Sequence, residues 1–204
     1  MTFTIWLSLL MVCMLGAMSP GPSLAVVAKH SLSGGRLHGV VTSVAHAMGV
    51  GVYALMTLLG LALVLKQSPL LFDVITYAGA GYLAYLGVNA LRSKGGVAAK
   101  LAAGKPSSLW EAARDGAMIS LLNPKLALFF LALFSQFVAV GTEFSSRAII
   151  VATPLLVDGL WYTLIAIVLS NPRVLEKLRS KAMLIDRLSG VVLILLAVRV
   201  VMQA

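Results

Sequence analysis

The sequence predicts an all-α integral membrane protein. Six transmembrane helices form two inverted three-helix repeats within one transmembrane domain, residues 1–204. Three observations carry that expectation. Hydrophobic residues make up 60% of the chain and charged residues 11%, with a mean hydropathy of +0.98, whereas a soluble domain is about 45–50% apolar and about 25% charged. The apolar residues gather into runs long enough to cross a hydrocarbon core of about 30 Å. Two of those runs, the first and the fourth, are interrupted by proline motifs.

The first run extends from about Phe3 to Leu32 and is broken at Ser19-Pro20-Gly21-Pro22. Its opening, Met1 to Ala17, superficially resembles a signal peptide. It lacks a basic leader and hydrophobicity resumes after Pro22, so it reads as a retained helix. The second run covers Leu37 to Leu65 and the third Pro69 to Leu91. The fourth covers Ser108 to Val140, broken at Asn123-Pro124, the fifth Ser145 to Ser170 and the sixth Leu184 to Met202. Unbroken, the first and fourth would measure roughly 45–50 Å at 1.5 Å per residue, too long for the bilayer core. Proline breaks a helix interior but suits the first position of a new helix. Ser19 and Asn123 are good N-cap residues standing directly before such prolines. Each run is therefore expected to restart at its motif, with free N–H groups and a positive dipole end deep in the membrane. Backbone open at that depth is tolerated only inside protein or beside water. Interrupted segments at matching places in two halves point to a transporter binding site.

Basic residues set the expected orientation. Lys29, Arg36, Arg92, Lys94, Lys100, Lys105, Arg114, Arg173, Lys177, Arg179, Lys181 and Arg187 fall on one side, against Lys66, Arg147 and Arg199 on the other. That asymmetry puts the first set in the cytoplasm and both termini outside it. It also accounts for the net charge of +9 without nucleic acid. Three spans per half force the second repeat, about 105–204, to be inverted relative to the first, about 1–100. The segment Ser93 to Pro106 reads as the solvated linker between them. Gly39, Ser43, Ala47 and Gly51 recur every four residues in the second run, a stripe suited to close helix packing. Gly79, Ala80, Gly81, Ala84 and Gly87 suit the same role in the third. Cys13 is the single cysteine, which excludes a dithiol relay. No cofactor is indicated, and no His/Asp/Glu cluster has metal-ligand spacing.

Lys125 and Asp158 are the charges nearest mid-span. Each costs a few kcal/mol or more in the bilayer unless paired or hydrated, so each is a functional candidate. The plain alternative is that they neutralise each other. His46, inside the second run, could relay protons or simply pack. His30 and His38 are expected near the cytoplasmic surface, solvated. Tyr53 is a candidate for a cavity wall, and Trp161 and Tyr162 lie one turn from Asp158.

Ser19-Pro20-Gly21-Pro22 with Leu24–Gly39, the block Leu122-Asn123-Pro124-Lys125-Leu126 continuing to Ala132, and Tyr82 to Gly87 together resemble the lysine-exporter (LysE/RhtB) family of bacterial amino-acid translocators. The likeness covers essentially the whole chain, and the Asn-Pro-Lys block is its more specific part. One departure is Ser135, where the family often has proline before the Gln-Phe pair seen here as Gln136-Phe137. That puts the bend at this point in doubt. The resemblance implies a bacterial inner-membrane exporter of amino acids or close derivatives, driven by the proton gradient. A zwitterionic substrate would place its carboxylate at Ser19–Pro22, Asn123, Pro124 and Lys125. Its ammonium would face Asp158, which could instead carry the coupled proton. Two rival readings follow from the residues. Ser19 and Lys125 could form a nucleophile–base pair in an intramembrane enzyme, and the same scaffold could export ions, metals or other metabolites. A homodimer is plausible for so small a transporter.

Overall fold

The computed structural model describes residues 1–93, 107–140, 143–170 and 172–203, all helix and short connections. The linker expected at Ser93 to Pro106 thus lies almost wholly outside the described residues. In chain order the helices are α1 (Phe3–Met18), α2 (Pro22–Gly34), α3 (Arg36–Gln67), α4 (Pro69–Leu91), α5 (Leu109–Leu122), α6 (Pro124–Phe134), α7 (Phe144–Leu169), α8 (Pro172–Ser180) and α9 (Ala182–Gln203).

The boundaries follow from local chemistry. Proline occupies the first turn of α2, α4 and α6, where its missing N–H costs nothing. Ser68 caps α4, and Ser108 with Glu111 forms a capping box at α5, satisfying donors a helix start leaves open. The turn between α2 and α3 rests on Gly35 at φ 81°, a left-handed conformation that side chains resist.

Both expected breaks occur. The axes of α1 and α2 diverge by 61° and those of α5 and α6 by 51°. Counting each bent pair as one span, five segments among the described residues are long and apolar enough to cross a membrane. The sixth predicted span coincides with α9, which carries Asp186, Arg187 and Arg199 and is not among those five.

Three expectations need correction. Ser19 is not the N-cap of α2; it ends α1, its N–H bonding to the Gly16 carbonyl, and Gly21 takes the N-cap position. The reason is that Pro22, not Pro20, sits at N1. The fourth run does not stay helical to Val140. It stops at Phe134 without proline, and 135–140 continue as turns through bonds such as Phe137 N–H to the Phe134 carbonyl. The basic stretch after Ser170 holds the additional helix α8.

Helix packing positions the site. The small-residue stripe of α3 is buried throughout. A Cβ on Gly51 would lie 2.5 Å from Leu155 Cδ1, and one on Gly159 would lie 3.1 Å from Ala47. These contacts bring α3 and α7 together running antiparallel. Likewise α4 and α9 cross where Gly87 and Gly190 face each other. Gly81, by contrast, meets nothing within 4 Å and takes no part in packing. The main apolar core joins α1, α3, α4, α6 and α9 through residues such as Leu9, Leu58, Leu83, Phe134 and Leu196. Large apolar side chains such as Met48, Leu70, Leu160 and Leu195 are exposed, while Ser43, His46, Asn123 and Asp158 are buried. Apolar outside with polar groups inside is the arrangement a lipid solvent selects.

Candidate functional site

The two breaks meet. Asn123 ends α5 and caps α6, its Oδ1 accepting from the Lys125 N–H at 3.0 Å. That cap starts α6 so that the Lys125 side chain reaches across to the first break. There Nζ donates to the Ser19 carbonyl at 2.7 Å and to Ser19 Oγ at 2.9 Å. Gly21 permits the approach, since a Cβ there would stand 3.2 Å from Lys125 Cδ and Nζ.

Beside this contact runs a buried polar chain. His46 on α3 places Nδ1 2.7 Å from Asp158 Oδ2 on α7 and Nε2 2.8 Å from Ser23 Oγ on α2. Asn123 Nδ2 donates to the same Ser23 Oγ at 3.3 Å. His46 is 0% and Asp158 5% exposed. Tyr162 stacks edge-on against the imidazole with ring centres 5.2 Å apart. Ser19, Gly21, Ser23, Asn123, Lys125 and Asp158 all line one cavity of about 30 Å³, closed on its apolar side by Phe129 and Phe130. That volume holds a water molecule or two.

Of the residues expected here, Ser19, Gly21, Asn123, Lys125, Asp158 and His46 therefore come together. Pro22 and Pro124 fix the helix starts, and Pro20 lines neighbouring cavities. Tyr53 stands apart, packed on Phe130 at 5.8 Å. Asp158 takes His46 as its partner, and Lys125 takes Ser19, in place of the direct neutralisation considered above. Tyr162 walls the small cavity, while Trp161 faces two others.

The family model described as LysE type translocator matches residues 14–204. The chain belongs to the LysE translocator family. Relatives of this LysE translocator include the threonine efflux protein of Escherichia coli (strain K12), 29% identical over 192 residues, 91% of this chain and 92% of that protein. The threonine efflux protein of Salmonella typhimurium is 30% identical over 186 residues, 88% and 89% of the two chains. An uncharacterized membrane protein of Bacillus subtilis (strain 168), YrhP, is 27% identical over 184 residues, 86% and 88%. No solved structure matches. Family and apolar helices together make this an integral membrane transporter.

Two parts of the LysE translocator's polar interior were not foreseen. Ser23 is the junction of the buried chain, yet a single serine after a helix-starting proline is weak as a signal. His30 is not solvated. It is fully buried, with Nδ1 2.9 Å from Ser107 Oγ and Nε2 3.0 Å from Asp115 Oδ2. Lys29 bonds the same carboxylate oxygen at 2.9 Å. This cluster ties α2 to α5 away from the small cavity. Among the described residues, no group of three or more His, Cys, Asp or Glu side chains could hold a metal ion.

Proposed function

We propose that this LysE translocator exports an amino acid across the bacterial inner membrane in exchange for protons. Six spans form two inverted repeats, with both termini outside the cytoplasm. The observation that carries this reading is the contact of the two helix breaks through Lys125 beside the buried pair His46–Asp158. Two supports come from elsewhere. The relatives named as threonine efflux proteins favour a small amino acid. Equivalent helices, α3 with α7 and α4 with α9, pack antiparallel, as repeats of opposite sense require.

The chemistry divides into two parts. A substrate carboxylate replaces Ser19 as the acceptor of Lys125 and meets the first N–H groups of α2, which have no side-chain cap. Helix starts and cations both favour such an anion. The proton resides on the chain of Asp158, His46 and Ser23. Cys13, Tyr162 and Lys125 share that cavity and set the field it feels. Because the cavity is small, loading requires the two breaks to part, so that substrate binding and the Lys125–Ser19 bond exclude one another.

Counterflow in proteoliposomes tests the proposal. Vesicles loaded with each of a panel of amino acids are assayed with and without a pH gradient. Saturable exchange of one or a few, accelerated by the gradient, is expected. No exchange of any amino acid by folded protein would sink the proposal and turn attention to ions and metabolites. Asp158→Asn is expected to retain exchange at equal pH and lose gradient-driven accumulation; unaltered accumulation would remove Asp158 from coupling.

One rival has a geometric basis, since Ser19 Oγ and Lys125 Nζ lie 2.9 Å apart. However, the ammonium also donates to the Ser19 carbonyl, which occupies it as a donor and disfavours a base role. Labelling by a serine-reactive probe, lost in Ser19→Ala, would revive that reading.

A further inference from the structure

Lys125 and Ser19 line a second cavity as well as the small one. It measures about 220 Å³, seven times the volume of the Asp158 cavity at about 30 Å³. Its other polar walls are Asn89 and Ser93 at the end of α4, and Asp186 and Ser189 at the start of α9. Asp186 is 5% exposed, and its Oδ2 accepts from Ser93 Oγ at 2.5 Å. An engineered cavity of about 150 Å³ accommodates benzene in another protein, so this one has room for a small amino acid.

We propose that this cavity is the loading chamber of the transporter, in which Asp186 receives the substrate's ammonium while Lys125 receives its carboxylate. The inference rests on the amino-acid export reading and gives the ammonium to Asp186 in place of Asp158, which the sequence suggested. The sizes of the two chambers favour Asp186 over Asp158. The chamber on the Asp158 side is too small for an amino acid. In the larger chamber, as in the smaller one, an acid and a base of opposite sign face one cavity, here Asp186 and Lys125, which suits a zwitterion; intramembrane charges that line a cavity mark the path of a charged solute. Lys125 and Ser19 stand between the two chambers. An arriving carboxylate draws Lys125 away from Ser19 and opens the way to the inner one. The chamber lies at the ends of α4 and α9 that adjoin the basic connections, so it faces the cytoplasm in the proposed orientation. An exporter must load from that side.

The test uses L-threonine and its des-amino analogue 3-hydroxybutyrate as probes, in vesicles where each side is sampled separately. In Asp186→Asn, half-saturation for L-threonine on the side of the basic connections should rise tenfold or more. Inhibition by 3-hydroxybutyrate, which has no ammonium, should not change, and Asp186→Glu should recover part of the loss. Wild-type exchange with an unaltered threonine half-saturation in Asp186→Asn would overturn the role of Asp186 alone. Absence of amino-acid exchange in the wild type would overturn the export reading with it. A second measurement leaves Asp186 in place. In a Cys13→Ser background, Asn89→Cys is labelled with N-ethylmaleimide. L-threonine should slow the labelling severalfold, and 3-hydroxybutyrate, held through its carboxylate alone, should slow it at the concentrations at which it inhibits exchange. Equal labelling rates with and without threonine would exclude the chamber from the path.

Discussion

At the second break one residue, Asn123, both ends α5 and caps α6, whereas at the first break Ser19, Pro20 and Gly21 separate the helices and the N-cap is a glycine without a capping side chain. The second break is capped within its own half of the chain. The first is completed by Lys125, which arrives from a position 106 residues later. Two breaks that look alike in sequence thus differ in mechanics. On the proposed export reading, the Asn123 turn acts as a fixed corner and the Ser19 turn as a latch whose bolt belongs to the other half. A ligand that competes for the bolt can open the latch without disturbing the corner.

Three substitutions probe this difference, in decreasing order of effect. Lys125→Ala removes the bolt and the cation together. The substrate carboxylate loses a charge-assisted partner worth roughly 1.5–3 kcal/mol, so counterflow should fall by about 10- to 150-fold while the protein stays folded in detergent. Near-normal flux would dissolve the distinction between latch and corner. Asn123→Ala should instead act on the corner. It deletes a cap worth about 1 kcal/mol and a bond to Ser23 of about the same size. Thermal stability should drop and flux should fall several-fold, with Asn123→Asp restoring the cap and most of the stability. A flux loss as deep as that of Lys125→Ala at unchanged stability would mean that the corner moves too. Gly21→Ala should be mildest. Its extended backbone, φ −153°, suits any residue, and the added Cβ meets only the mobile end of Lys125 at 3.2 Å. Displacing that side chain from its rotamer costs about 0.5–1 kcal/mol, roughly two- to fivefold in half-saturation. Stability should not change, and a large loss of it would show that the approach at Gly21 is rigid.

Much of this was legible because prolines and charges are expensive in lipid. Pro22 and Pro124 announced the breaks, and Lys125, Asp158 and His46 stood out as polar groups within apolar runs. Which of them would pair was not legible. His46 and Asp158 are 112 residues apart, and only the antiparallel packing of α3 on α7 brings them together. Ser23 escaped notice because a hydroxyl carries little desolvation cost and is common in membrane helices. Ser19 was misassigned because two prolines, Pro20 and Pro22, compete for the first helical position and the sequence does not rank them. His30 looked solvated because it neighbours Lys29 near a helix end; its burial depends on Asp115 and Ser107 arriving from the opposite half.

The latch also bears on how the protein is made. Synthesis proceeds at about 5–20 residues per second, so the 106 residues between Ser19 and Lys125 take roughly 5–20 s to emerge. During that interval the nascent first half holds its broken helix without the lysine that completes it. The Ser19 carbonyl must be hydrated or sheltered by the insertion machinery until the second half arrives. The contact that joins the two breaks can therefore form only after most of the second half's first helix pair has been made.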